Sequence, residues 1–355
     1  MEKISKDFKF EELPEFDNHK LISYFYDQDS GLRGFIAVHR HGKNNSPSFG
    51  ATRFWYYRYD KQAARDALRL ARIMSYKSAM AGLKYGGAKA VIMSPKRRIS
   101  KNQKAKILKI YAHRVNLFNG MFITGTDVGM DHNDLKRMRG HSQFMVGVHS
   151  SPEQFTALGI LLAIKLCLRE VFGSARFSGR SFAIQGAGKV GVELLKLLNP
   201  RTSLITIADI DVKKIKSVQK IFPNVQVVKP AEIHKVEADI FAPCALSNVL
   251  NQKTIPELRC KIVAGGANNQ LAGARAGEML FAKNILYAPD YVINAGGLIT
   301  VADEYEHRDF SALRITKQVK KIPKILAKIF AESKRQGKPT SVIADELAEK
   351  IFNGY

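Results

Sequence analysis

Residues 181–198 read SFAIQGAGKVGVELLKLL, and this stretch decides the fold. A short apolar run at 180–185 ends in Gly186, Gly188 and Gly191, a G-x-G-x-x-G spacing, and an apolar helical pattern continues over 190–198. The chemistry needs glycine at each position for a different reason. Gly186 permits a tight turn, Gly188 lets the backbone approach a pyrophosphate, and Gly191 lets the helix sit close to the strand. The helix start then offers unpaired amides and a positive dipole end to phosphates. Ala187, Lys189 and Val190 complete this candidate cofactor loop, with Lys189 read chiefly as an exposed lysine. A second strand, 203–208, runs into Asp209, twenty-three residues after Gly186. A carboxylate there accepts hydrogen bonds from ribose hydroxyls and repels a 2′-phosphate, so the reading is NAD rather than NADP. Asp211 reads as a surface or helix-start residue.

Outward from this loop, later strand candidates fall at 225–228, 240–241, 262–264 and 285–287, separated by helical or polar pieces, a βαβ pattern that implies a parallel sheet. Upstream, an apolar helix is expected over 156–171. The first part is also α/β in character. It carries strand-like runs at 20–26 and 32–38, a polar turn HRHGKNNSPS, and a helix over 61–77 on which Ala64, Leu68, Ala71 and Met74 recur. A glycine-rich stretch 82–89 precedes an apolar run at 90–93, followed by a helix over 104–117 and a strand at 121–124. The expected organisation is a substrate-binding and catalytic α/β domain over 1–150 and a Rossmann-type dinucleotide domain over 151–325. Helices over 326–355, broken at Pro339, are expected to pack partly against the first domain.

At 355 residues the chain suits two domains, and its 45% hydrophobic content suits a globular protein. No run approaches the roughly eighteen apolar residues of a membrane span, and the opening MEKISKDFKFEELPEF lacks a signal core. Three scattered cysteines, Cys167, Cys244 and Cys260, read as thiols in a reducing compartment, so a cytoplasmic location is expected. The net charge of +24 is the unusual bulk feature. It draws polyanions and opposes self-association. Because its lysines are spread through KNQKAKILKI, DVKKIKSVQK and KQVKKIPKILAK, without a tail or reading module, a solvated surface is preferred to specific nucleic-acid binding.

Candidate chemistry lies in MSYKSAMAGLKYGGAKAVI (74–92) and FITGTDVGMDHNDL (122–135). Lys89, bounded by Gly86, Gly87 and Ala88 and then by Ala90, Val91 and Ile92, is poorly placed for a surface life. A desolvated amine beside another cation has a lowered pKa and serves as a base. Lys77 could stay protonated and hold a substrate carboxylate. For either lysine, a snorkelling side chain is the blander reading. Asp127, just past an apolar strand among Gly and Thr, is placed to exchange a proton with an amine. Asp131 and Asp134 fit a helix start. The histidines lack metal-ligand spacing, so no catalytic metal is expected.

With these residues assembled, the sequence resembles the glutamate, leucine, phenylalanine and valine dehydrogenase family, and most closely its leucine dehydrogenase branch. The likeness covers roughly 16–304. It is carried by DSGLRGFIAVH, DALRLARIMSYKSAMAGLKYGGAKAVI, TDVG, GAGKVG, ADID, FAPCAL, AGGANNQL and YAPDYVINAGGLITVADE. The resemblance implies two α/β domains with the active site in the cleft between them, and NAD-dependent oxidative deamination of a hydrophobic L-amino acid to its 2-oxo acid and ammonia, with the reverse reductive amination. It implies a homo-oligomer with no membrane partner and no specific nucleic acid. It assigns Lys77 to the substrate carboxylate, Lys89 and Asp127 to catalysis, Asn268 to the border of nicotinamide and substrate, and Asn294 to a position beside the cleft. Phe49, Gly50, Gly125, Leu298 and Val301 match the residues of the substrate pocket, which points to a branched-chain aliphatic side chain. Departures fall at Phe49, where the leucine branch has leucine, at Gly50–Ala51 for paired glycines, at Gly125, at Ser247–Asn248, and at PEQFTA, which brings in Gln154 and Phe155. The contrasting readings are a catalytically reduced, NAD-binding regulatory protein and a basic nucleic-acid-associated protein. Only the enzyme needs Lys77, Lys89 and Asp127 alongside the glycine loop.

Overall fold

The structure, a computed structural model, describes residues 9–147 and 151–354. The expected boundary near Ser150 therefore lies outside the described residues. The chain divides into two compact units: the described parts of Met1–Ser150, Glu304–Asp309 and Ile351–Tyr355 form one, and Ser151–Asp303 with Phe310–Lys350 form the other.

The first unit is a mixed sheet with helices on both faces. Its elements are β1 (Leu21–Asp27), β2 (Leu32–Arg40), β3 (Ser48–Phe49), β4 (Thr52–Trp55), α1 (Asp60–Met80), β5 (Gly86–Met93), α2 (Lys101–Asn116), β6 (Phe122–Ile123) and α3 (His132–Arg139). Strand order is β1-β2-β5-β3-β6, with β4 also paired to β5. The pairs β1–β2 and β2–β5 are antiparallel, whereas β3 and β4 pair parallel with β5 and β6 pairs parallel with β3. Alternation along β5 sorts its side chains: Ala88, Ala90 and Ile92 pack with Tyr111 and Ile107 of α2, while Val91 and Met93 pack with Leu68 and Ala64 of α1. Lys89 falls on the α1 side of that alternation.

Strand β5 begins at Gly86, four residues ahead of the expected apolar run, so Lys89 lies inside the strand rather than in a loop before it. Glycine makes this possible. A Cβ on Gly87 would stand 2.0 Å from the Ser75 amide nitrogen, so α1 can approach β5 this closely only over a bare backbone. The short strands β3 and β4, separated by the Gly50–Ala51 step, were not legible as strands because each is too short to show a period.

Beneath α1 lies a small buried histidine cluster. The His19 ring is held neutral, its Nε2–H donating to the Leu68 carbonyl at 3.0 Å and its Nδ1 accepting from the Asp17 amide at 3.2 Å. Burial, opposed by the Leu68 hydrogen bond and reinforced by His39 and Arg40, lowers the His19 pKa to about 4. His39, paired with Asp17 at 3.0 Å, is also lowered, first by burial. The folded ring therefore resists a proton that the unfolded chain accepts near pH ~6.5. Stability is complete above that value and falls as pH drops from about 6.5 toward 4, the His19 share being on the order of 3 kcal/mol. Urea midpoints measured between pH 7.5 and 5 should decline for the parent and less steeply for His19→Gln. Equal slopes would remove His19 from the account.

The second unit is a parallel sheet wrapped by helices. It contains α4 (Pro152–Phe172), β7 (Phe182–Gln185), α5 (Lys189–Leu198), β8 (Ile205–Ala208), α6 (Val212–Ile221), β9 (Gln226–Val227), β10 (Ile240–Pro243), β11 (Ile262–Val263), α7 (Ala274–Ala282), β12 (Leu286–Tyr287) and α8 (Asp290–Ile293). Helix α9 (Gly296–His307) follows, its end from Glu304 counted with the first unit, then α10 (Ala312–Val319), α11 (Ile322–Gln336) and α12 (Thr340–Asn353), whose end from Ile351 is also counted with the first, with Pro339 at the expected break. The strand order is β12-β11-β10-β7-β8-β9, parallel throughout, and the chain switches from adding strands on one side of β7 to adding them on the other between β9 and β10. The glycine loop follows β7, at the carboxyl end of that switch point, where doubly wound sheets bind ligands. The α6 start is capped by Asp211, whose side chain accepts from the Lys213 amide at 2.9 Å. Among the described residues no helix is long and apolar enough to cross a membrane.

Candidate functional site

In the first unit the structure brings Lys89 and Asp127 together. Strand β5 carries Lys89, 5% exposed, and its Nζ lies 2.8 Å from Asp127 Oδ2. Asp127 is set by a turn that docks on β4. Its amide donates to the Thr52 carbonyl at 3.1 Å, and Gly129 adopts φ +80° where a Cβ would meet the Phe54 carbonyl oxygen at 1.8 Å. Thr52 is locked in turn on the opposite face of β4, its hydroxyl 2.6 Å from the Tyr111 hydroxyl and 2.8 Å from that of Thr124. Alternation then turns Arg53 toward the carboxylate.

Arg53 is the group that sequence reading missed. Its Nε donates to Asp127 Oδ2 at 3.0 Å and its Nη1 to Asp66 Oδ2 at 2.7 Å. Asp66 also accepts from the Tyr57 hydroxyl at 2.6 Å and from Arg69 at 2.7 Å. Burial pushes the Asp127 carboxyl up, but the Lys89 ammonium and the Arg53 guanidinium hold it well below the usual carboxylate range. Arg53 thus reaches Lys89 only across a shared carboxylate. The available signal was the alternation of TRFW, which puts Arg53 and Thr52 on opposite faces once β4 is recognised as a strand. Lys77 is half-buried in the last turn of α1, the helix that packs over β5.

Of the pocket residues expected in this unit, Phe49 is fully buried, its ring 4.3 Å from that of Tyr85 and 5.3 Å from that of Tyr305. Gly50 is a close-approach glycine, a Cβ there meeting the Ala88 carbonyl oxygen at 2.4 Å. Gly125 is buried, with the Val146 carbonyl oxygen 3.1 Å from where its Cβ would be. Asp131 and Asp134 form a capping box at the start of α3.

In the second unit each glycine of the loop has its own physical reason. Gly186 takes φ +106°; Gly188, the N-cap of α5, has open space beside its Cα; a Cβ on Gly191 would strike the Gly186 carbonyl oxygen at 2.0 Å. No side chain caps α5, so the amides of Lys189, Val190 and Gly191 open its first turn. Asp209 holds the loop: its Oδ2 accepts from the Ala187 amide at 2.7 Å and its Oδ1 from the Asp211 amide at 2.8 Å. A carboxylate has lone pairs left for two ribose hydroxyls. An open glycine, an uncapped helix start and an acid at the next strand end together fit a dinucleotide. Lys189 pairs with Glu153 at 2.8 Å and is mostly exposed.

Asn294 and Asn268 also meet, Asn294 Nδ2 donating to Asn268 Oδ1 at 3.0 Å. The Asn294 Oδ1 is buried with no hydrogen-bond partner among the described residues, an acceptor left for a ligand. Sequence reading passed over Gln270, whose Nε2 donates to the Gly265 and Ala267 carbonyls at 2.8 and 3.0 Å and so shapes the loop that presents Asn268. Burial pushes the nearby Cys244 thiol up to about 11, so it is an inert thiol packed against Gly266. Leu298 is buried and Val301 half-buried on α9; Phe155 packs near Phe310, their rings 6.0 Å apart. Among the described residues no group of His, Cys, Asp and Glu could hold a metal ion.

Comparison with known proteins gives consistent matches. The profile described as Glu/Leu/Phe/Val dehydrogenase, dimerisation domain, matches residues 20–144, and that described as Glutamate/Leucine/Phenylalanine/Valine dehydrogenase matches residues 203–347. The leucine dehydrogenase of Bacillus cereus is 38% identical over 347 residues, covering 96% of this chain and 92% of the relative. The phenylalanine dehydrogenase of Lysinibacillus sphaericus is 35% identical over 367 residues, covering 100% and 94%. Among solved structures, the L-tryptophan dehydrogenase of Nostoc punctiforme superposes with a TM-score of 0.80 at 38% identity, over 95% of this chain and 96% of that one.

Proposed function

The chain belongs to the glutamate/leucine/phenylalanine/valine dehydrogenase family, and from that premise we propose that it catalyses NAD-dependent oxidative deamination of a branched-chain aliphatic L-amino acid to its 2-oxo acid and ammonia, and the reverse reductive amination. The observation that carries this reading is the pair of buried Lys89 and partly buried Asp127 at 2.8 Å, retained alongside an intact glycine loop. A protein that only bound the dinucleotide would need the glycine loop and Asp209 alone.

Lys77 would hold the substrate carboxylate as an ammonium. NAD, when bound, supplies the hydride acceptor; the opening turn of α5 would hold its pyrophosphate and Asp209 its ribose. Asn268 and Asn294 would border the nicotinamide and substrate, with the unpartnered Asn294 oxygen turned to a donor there. In this step Lys89 would act as the free amine, taking the proton of the water that attacks the imino carbon. Asp127, held far below the ordinary carboxylate range, stays ionised at neutral pH. Its first task would be to orient the Lys89 amine; the proton that Lys89 takes from water would reach the departing nitrogen across Asp127, which is protonated only in passing.

For the side chain of the substrate, Phe49, Gly50, Gly125, Leu298 and Val301 offer no cation for a γ-carboxylate, whose unpaired burial is costly. Phe49, fixed between Tyr85 and Tyr305, cannot swing aside for a large ring, which favours leucine, isoleucine or valine over aromatic substrates. We also propose a homo-oligomer, in keeping with the description of the N-terminal profile. The test is kcat/KM for leucine, valine, phenylalanine, tryptophan and glutamate with NAD and with NADP. Leucine or valine with NAD should lead. An aromatic substrate ahead would refute the aliphatic assignment, and no turnover on any of them would refute the enzyme. One methylene shifts such discrimination by ~1–3 kcal/mol, enough to reorder the aliphatic group.

A further inference from the structure

The single tryptophan of the chain, Trp55, ends β4 with 53% of its surface exposed, and Tyr56 beside it is 37% exposed. Two adjacent aromatic rings are thereby left open to solvent, where a flat ligand can lie against them. Parallel pairing of β4 with β5 sets Trp55 opposite Met93, and the Ser94 amide donates to the Trp55 carbonyl at 2.8 Å. The segment after β5 therefore leaves beside the aromatic pair, and it carries two adjacent arginines. The Arg97 guanidinium lies over the Tyr56 ring, 5.4 Å from its centroid. Neither Arg97 nor Arg98 has a carboxylate partner among the described residues. Lys104 forms a further wall, but its charge is already met by Asp134 at 2.5 Å and by the Gly129 carbonyl at 2.7 Å. These groups enclose a pocket of about 650 Å³, none of whose lining residues is Lys89, Asp127 or Arg53.

A ligand suited to this pocket has a flat ring to lie on indole and phenol and a compact anion to neutralise two guanidinium forks. We propose that the pocket binds a nucleoside phosphate, its base stacked on Trp55 and Tyr56 and its phosphates held by Arg97 and Arg98. Stacking is tolerant of base identity, and guanidinium recognises phosphate through paired hydrogen bonds. A monocarboxylic amino acid would leave one arginine unused, and an apolar ligand would leave both. The chemistry is shared by a free nucleotide and by a nucleotide within a single strand, and it is independent of the amino acid reaction.

Trp55 is its own reporter, since no other tryptophan contributes to emission. The full chain, excited at long wavelength, is titrated with ADP, adenosine, pyrophosphate and a short oligoadenylate. Saturable quenching by ADP is expected, with adenosine and pyrophosphate each at least about tenfold weaker, because each keeps only one half of the recognition. Arg97→Ala/Arg98→Ala should weaken ADP binding by about tenfold or more with amino acid turnover unchanged. Quenching should persist in Gly188→Val, which obstructs the dinucleotide loop and separates this site from it. Tighter binding of oligoadenylate than of ADP supports the site and assigns the source to single strands. No saturable response to any of them, or quenching indifferent to the arginine changes, overturns the proposal. So does Trp55 emission that shifts only with protein concentration, which would mean that a second copy covers the pocket.

Discussion

Alanine in place of Lys89 is expected to lower kcat by roughly 10²–10⁴-fold, the range contributed by a positioned acid–base group. NADH affinity, read by fluorescence titration, should stay within about twofold, because the glycine loop belongs to the other unit and makes no use of Lys89. The fold should survive the change. Lys89 is buried in β5, but the Asp127 carboxylate it leaves behind keeps Arg53 at 3.0 Å and is not orphaned. Exogenous small amines should restore part of the lost rate if the vacated volume admits them. Turnover within about threefold of the parent would remove Lys89 from the chemistry.

Arg53→Ala should cost both stability and rate. The guanidinium, only 18% exposed, ties Asp66 and Asp127 together. Two carboxylates facing each other without it repel, and removing one partner of buried ion pairs is typically worth ~3–5 kcal/mol. Here each carboxylate keeps another partner: Asp66 retains Arg69 and Tyr57, and Asp127 retains Lys89. The expected loss is therefore toward ~2–3 kcal/mol, seen as a lower urea midpoint. The rate should fall about tenfold through kcat rather than KM, since Asp127 would recentre on Lys89 and tilt the amine. Arg53→Lys restores a charge without the fork that spans two carboxylates, so it should recover stability only in part. An Arg53→Ala protein with unchanged midpoint and full kcat would show that the bridge is ornamental.

How far these features could be read in advance depended on the reach of the interactions involved. The loop at Gly186–Gly191 and the acid at Asp209 were legible because a strand, a turn and a helix in immediate succession fix their geometry locally. The long helix α1 was legible from its apolar spacing. The strands β3 and β4 were not, since two and four residues carry too little periodicity and owe their conformation to neighbours distant in sequence. Arg53 was hidden for the same reason: its side is defined only when β4 is a strand, and its partners Asp66 and Asp127 lie thirteen and seventy-four positions away. The start of β5 was set too late because Gly86 and Gly87 read as loop residues, when their role is to admit the backbones of β2 and α1. Phe49 was identified by position, but its enclosure by Tyr85 and Tyr305 required the fold.

The double duty of Asp209 has a consequence for anyone redesigning the molecule. The same carboxylate that is suited to a ribose also fastens the Ala187 and Asp211 amides. On the proposed reading, a substitution chosen to admit a phosphorylated ribose would also unfasten the turn that is to hold the pyrophosphate, and the first mutant along such a path would weaken the binding of both carriers. Evolution and engineering face the same ordering: a replacement acceptor for the Ala187 amide has to arrive before, or together with, the change at 209. Preference for one nicotinamide carrier would thereby be buffered against single-step drift by the architecture of the turn.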